Sequence, residues 1–174
     1  MKKIILLLLI SATCSVVRSQ SVLPPVYVPV ANVNQQSSGW CWAAVAEQIL
    51  RWKKHKSPKQ CELVSEFGTD TKETCCSTPS VCSKPGNLQQ LQLLFNQFGI
   101  QYSSLLPLPN SQSLYSILND RAVIMFVQSS SIAGHCIVIV GMDGGNVIVN
   151  DPTGTYQTLP LETILSLWSV AIAI

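Results

Sequence analysis

Cys41 opens the stretch CWAAVAEQILRWKK, in which Trp42, Val45, Ala46, Ile49 and Leu50 recur at helical spacing. The pattern predicts a helix over residues 41–54, with Glu47, Gln48 and Arg51 available for its other face. A thiol at a helix start meets unpaired N–H groups and the positive end of the dipole, both of which favour the thiolate. A thiolate nucleophile then needs an imidazole to move its proton and a third polar group to hold the ring. The sequence has two histidines. His55 lies about one turn past the far end of the Cys41 helix, in the cationic run RWKKHKSPK, and reads as an exposed surface residue. His135 follows Ala133-Gly134 and opens the apolar run CIVIVG, so its side chain can project from a strand end into a cleft. The plainer alternative for His135 is a hydrogen-bonded core histidine.

The strand NVIVND ends at Asp151, and a hairpin through Gly144-Gly145 returns it to the start of the His135 strand. Asp151 is therefore the favoured orienting group, with Asn150 as the alternative. A turn role for Asp151 before Pro152 is the competing explanation. Acyl transfer also develops negative charge on the carbonyl oxygen, which calls for a donor beside the nucleophile. Gln35 and Gln36 are both placed to supply it, and composition alone does not raise either above an ordinary loop glutamine.

The elements that must carry these residues are legible as blocks. Residues 20–34 hold three prolines among β-branched residues and read as an extended arm. Leu88, Leu91, Leu94, Phe95 and Phe98 predict a helix capped by Asn87 and closed by Gly99. A further helix is expected from about Ser111 to Asn119 and a short one over Leu161–Leu167. Strands are expected at 122–127, 136–141, 146–149 and in the final SVAIAI. Helices first and an antiparallel sheet afterwards describe an α+β domain with a cleft between the layers.

Export is read from the N-terminus. MKKIILLLLISATCSVVRSQ has two lysines, a short apolar run and small residues, the pattern of a secretory signal peptide over residues 1–19. Lipidation at Cys14 is the weaker alternative. Residues 20–174 then form one domain. Without residues 1–19, Lys plus Arg falls from 11 to 8 against 9 acidic residues, a net charge of −1. Neither nucleic-acid binding nor membrane insertion is expected of such a chain. The run RWKKHKSPK holds five of those eight cations and suits a solvated helix end. Cys61, Cys75, Cys76 and Cys82 read as two disulfides stapling a polar segment in an oxidising compartment. Excluding the Cys75–Cys76 bond leaves two pairings open. A zinc site is the competing reading of the four thiols.

The runs QQSSGWCWAA at 35–44, GHCIVIVGMD at 134–143 and VNDP at 149–152 resemble the papain-like cysteine peptidase superfamily. Its compact bacterial members, of the avirulence-effector and bacteriocin-leader types, are the most similar. The resemblance spans nearly all of residues 35–152. It implies a papain-like fold, with N-terminal helices packed on a C-terminal antiparallel sheet and the active site in the cleft between them. It also implies Cys41 as nucleophile, His135 as general base and acid, and Asp151 as the orienting residue. The family's oxyanion glutamine stands six residues before the cysteine, which selects Gln35. The implied enzyme is a secreted or periplasmic cysteine endopeptidase that acts as a monomer on protein or peptide substrate, with no metal or organic cofactor.

Three departures limit the resemblance. Cys136 follows the histidine directly, and strand alternation makes it a buried free thiol facing away from His135. The 61–82 cysteine cluster and the lack of a sizeable propeptide set the chain apart from papain itself, and no transporter segment accompanies the domain. A transferase or amidase using the same triad, or a disulfide-framed binding module, are the alternatives.

Overall fold

The computed structural model describes residues 23–105, 109–129, 132–154 and 156–174. The expected signal segment and the signal-peptidase cut before Gln20 lie outside them. Six helices and seven strands follow in the order β1 (Val26–Tyr27), α1 (Cys41–Lys54), α2 (Gln60–Ser65), α3 (Lys72–Ser77), α4 (Leu88–Gln97), β2 (Ser103–Ser104), α5 (Ser111–Ile117), β3 (Val123–Ser129), β4 (Ile132–Asp143), β5 (Asn146–Asn150), β6 (Gln157–Pro160), α6 (Leu161–Ser166) and β7 (Trp168–Ala173). The strands form one antiparallel sheet in the order β2-β7-β3-β4-β5-β6, with β1 laid against β4. The architecture is α+β and papain-like.

Alternation along the strands sorts the core into two layers. Ile124, Phe126, Cys136, Val138 and Val140 face α1 and α4, meeting Trp42, Val45, Ile49, Leu91, Leu94 and Phe95. Val123, Met125, Ile137, Ile139, Val147 and Val149 face the opposite way, against Leu114 and Leu118 of the α5 region and Ile164 of α6. The sheet is thus covered on both faces, where sequence order suggested helices on one. The helices of the second face are six or seven residues long, and each offers only one or two large apolar side chains to the sheet.

Helix α1 keeps the expected bounds. It ends where His55, exposed, takes a left-handed conformation with φ 52°, the His55 N–H donating to Arg51 O and the Lys56 N–H to Leu50 O. Asn87 caps α4 in a capping box with Gln90. The cysteine cluster forms α2 and α3 rather than irregular chain, and its bridges are Cys61–Cys76 and Cys75–Cys82. All four thiols that a zinc site would use are consumed. Among the described residues no helix is long and apolar enough to cross a membrane.

Candidate active site

Three elements converge on the first turn of α1. Trp40 is its N-cap residue and makes no side-chain cap bond, and the first turn carries no acidic residue. The leading N–H groups and the positive dipole end are therefore left for an anion held at the helix start. Cys41 occupies that start, largely buried, with Sγ 3.9 Å from Gly134 O. Gly134 has φ 45°, a conformation that suits glycine, in the residue just before His135.

The β4–β5 register places the partner of the imidazole. Val138 pairs with Asn150, the last residue of β5, so Asp151 leaves the sheet beside the first half of β4, which carries His135. His135 Nε2 lies 2.9 Å from Asp151 Oδ1. With Nε2 engaged by Asp151, Nδ1 is the ring nitrogen left for Cys41, whose Sγ lies against the residue just before His135. Asp151 further accepts from Thr153 N–H at 2.8 Å and Thr153 Oγ1 at 2.7 Å, which fixes its carboxylate. The hydrogen bond to Asp151, then the neighbouring Cys41, raise the His135 pKa from 6.5 to about 9 against the opposing effect of burial. Burial works to raise Asp151, but the bonds from His135 and Thr153 outweigh it and lower its pKa from 3.8 to about 2.

Cys136 is fully buried on the α1 face, opposite to His135, and is the second free cysteine among the described residues. Burial first, and the neighbouring Cys41 second, push its thiol pKa well up. Asn150 is committed elsewhere: its Nδ2 donates to Val30 O at 2.7 Å and to Gln48 Oε1 at 3.2 Å. Gln35 is half-buried and its N–H donates to Pro152 O at 2.8 Å, which ties its loop to the residue after Asp151. Gln36 is exposed.

The family model of the Peptidase_C39 like family matches residues 27–171, a span that contains every one of these side chains. The chain belongs to the Peptidase_C39 like family. It is accordingly a cysteine peptidase. Solved structures of similar fold include the peptidase domain of Streptococcus ComA, a bi-functional ABC transporter. It has a TM-score of 0.61 at 16% identity, over 82% of this chain and 96% of that one. A double glycine motif protease from an AMS/PCAT transporter, in complex with its leader peptide, has a TM-score of 0.60 at 16% identity over 87% and 96%. A C39-like peptidase from Bacillus anthracis scores 0.60 at 16% identity over 86% and 96%. At these identities the structures attest the fold. Among curated proteins none matches this Peptidase_C39-like chain significantly.

Polar residues on the buried side of α1 went unread in the sequence. Glu47 and Gln48 carry no more than 4% exposure, and Gln60 is fully buried. The apolar period of α1 assigned Glu47 and Gln48 to its outer face. Their burial is stabilised by hydrogen bonds to the chain on either side of the site, a pattern that a single helix's periodicity does not record.

Proposed function

We propose that this cysteine peptidase hydrolyses peptide bonds with Cys41 as nucleophile, His135 as general base and acid and Asp151 as the group that orients the ring. The carrying observation is the grouping at the start of α1: Cys41 Sγ is 3.9 Å from Gly134 O, the residue just before His135, and the His135 imidazole is 2.9 Å from the Asp151 carboxylate. In this reading the Cys41 thiolate attacks the scissile carbonyl carbon and the His135 imidazolium gives its proton to the leaving amine. Neutral His135 then takes a proton from water, whose oxygen bonds to the thioester carbon; the C–S bond breaks, releasing the acid product and returning Cys41 as thiolate. The Cys41 N–H, at the uncapped helix start, and the Gln35 side chain serve the oxyanion. The double glycine motif protease is bound to a leader peptide, and by that likeness an extended peptide segment is the substrate class here.

The same proposal places the enzyme outside the cytoplasm as a monomer. A signal peptide over residues 1–19 exports the domain of residues 20–174, and the two bridges of the cysteine cluster suit an oxidising compartment. The test is incubation of the oxidised chain with a proteome-derived peptide library, with new termini read by mass spectrometry. Cleavage that vanishes in Cys41→Ala and His135→Ala is expected. Equal cleavage by a folded Cys41→Ala variant overturns the assignment.

A further inference from the structure

The cysteine cluster reaches the active-site loop through one side chain. Gln60 begins α2, immediately before Cys61, and its amide grips the backbone on both sides of Gln35. Nε2 donates to Asn34 O at 2.9 Å, and Oε1 accepts from Gln36 N–H at 2.8 Å. The second Nε2 proton goes to Glu47 Oε2 at 2.9 Å, and Glu47 Oε1 is paired with Arg51 one turn along α1. Gln60 therefore makes the bonds of an adjacent β-strand to a loop that has none. The Gln60 side chain is fully buried, so its amide has no water to turn to and each bond is costly to lose. Glu47 stands on the helix that starts with Cys41. The chain Cys41–α1–Glu47–Gln60–Gln35 is a fixed linkage between the thiol and the loop.

Resting on the peptidase reading above, we propose that Gln60 is a positioning residue that holds Gln35 at the distance from Cys41 required to receive the oxyanion. The three residues between Asn34 and the Ser38-Gly39 turn have few other restraints: the Gln35 N–H to Pro152 O, Trp40 N–H to Ser37 O at 3.2 Å, and Ser83 Oγ donating to Ser38 O at the turn. Nothing in the Gln60 clamp touches His135 or Asp151. Its loss is predicted to leave the thiolate–imidazolium pair intact while degrading stabilisation of the tetrahedral intermediate.

The experiment compares Gln60→Met, which keeps length without donors or acceptor, and Gln60→Glu, which keeps the acceptor for Gln36 and sets a second carboxylate beside Glu47. Each is read by kcat and KM on a peptide cleaved by the unaltered chain, and by the rate of iodoacetamide alkylation at about pH 6. Expected is a fall in kcat of about 10–100-fold with KM and alkylation rate changed by less than about threefold, since loss of one oxyanion donor costs about 10²–10³. The Gln35→Ala/Gln60→Met double variant should be no slower than Gln35→Ala alone, because both act through one donor. Unchanged kcat, multiplicative effects in the double variant, or alkylation falling in step with kcat would each overturn the clamp. If the Gln60 variants do not fold, Glu47→Gln carries the test with the same readouts and the same overturning results. Failure of the unaltered chain to be alkylated or to cleave peptides counts against the peptidase reading. A reactive, active chain indifferent to Gln60 counts against the clamp alone.

Discussion

Replacing Asp151 with Asn keeps the shape of the His135 partner and removes its charge. In the native chain His135 is raised from 6.5 to about 9, a shift that corresponds to about 3 kcal/mol of preference for the protonated ring. Asp151 is lowered from 3.8 to about 2, which corresponds to about 2 kcal/mol. Burial opposes both shifts, while Cys41 adds to the first and the Thr153 bonds add to the second, so neither figure belongs to the contact alone. A raised histidine stabilises the fold fully below its unfolded pKa and loses that contribution as pH rises from 6.5 through about 9. A lowered carboxylate contributes above 3.8 and loses its contribution as pH falls towards 2. The pair is therefore complete between those limits. The chain has only two histidines, and His55 is exposed, so proton NMR of the ring resonances resolves both once His55→Ala assigns them. His135 is expected to titrate near 9 in the native chain, and at least about one unit lower in Asp151→Asn. Cys41→Ala should lower it less, because the Asp151 bond is the larger cause. A His135 titrating near 6.5 in the native chain, or unmoved by Asp151→Asn, would refute the reasoning.

Two further predictions concern the framework of the site. A Cβ on Gly86 would lie 2.3 Å from Trp42 Cγ, and Trp42 follows Cys41 on α1. Gly86→Ala is expected to cost about 1–3 kcal/mol by overpacking and to slow Cys41 alkylation, checked by urea unfolding and alkylation rate. The bridges close separations of 15 and 7 residues. Cys61→Ala/Cys76→Ala should therefore lower the unfolding free energy by about 3 kcal/mol and Cys75→Ala/Cys82→Ala by about 2 kcal/mol. The first pair should also cut kcat, because Cys61 adjoins Gln60; equal activity with all four thiols reduced would contradict that link.

The placement of Cys41, His135 and Asp151 was readable because each depends on local rules. The helix start at Cys41 and the hairpin at Gly144-Gly145 that returns Asp151 to His135 follow from local rules, whereas the packing of the α1 start against β4 is long-range. Cys136 followed from alternation alone. The disulfide pairing was not readable, since both permitted pairings satisfy the same spacing and the choice rests on how α2 packs beside α3. Strands β1 and β2 have two residues each, too short for a period, and β6 is polar and ends in Pro160. Glu47, Gln48 and Gln60 carry the sharpest lesson. Hydropathy assigns such residues to solvent, whereas here they replace missing backbone partners beneath the site.

The most direct test of the account is titration of the oxidised chain with a thiol-directed epoxide at about pH 6, where an ordinary thiol of pKa about 8.5 is nearly all protonated. Intact mass and peptide mapping read the product, in the native chain and in His135→Ala. One adduct on Cys41, none on buried Cys136, and loss of labelling in the folded variant is the predicted result. A folded native chain that stays unlabelled, or labels equally without His135, would contradict an activated Cys41.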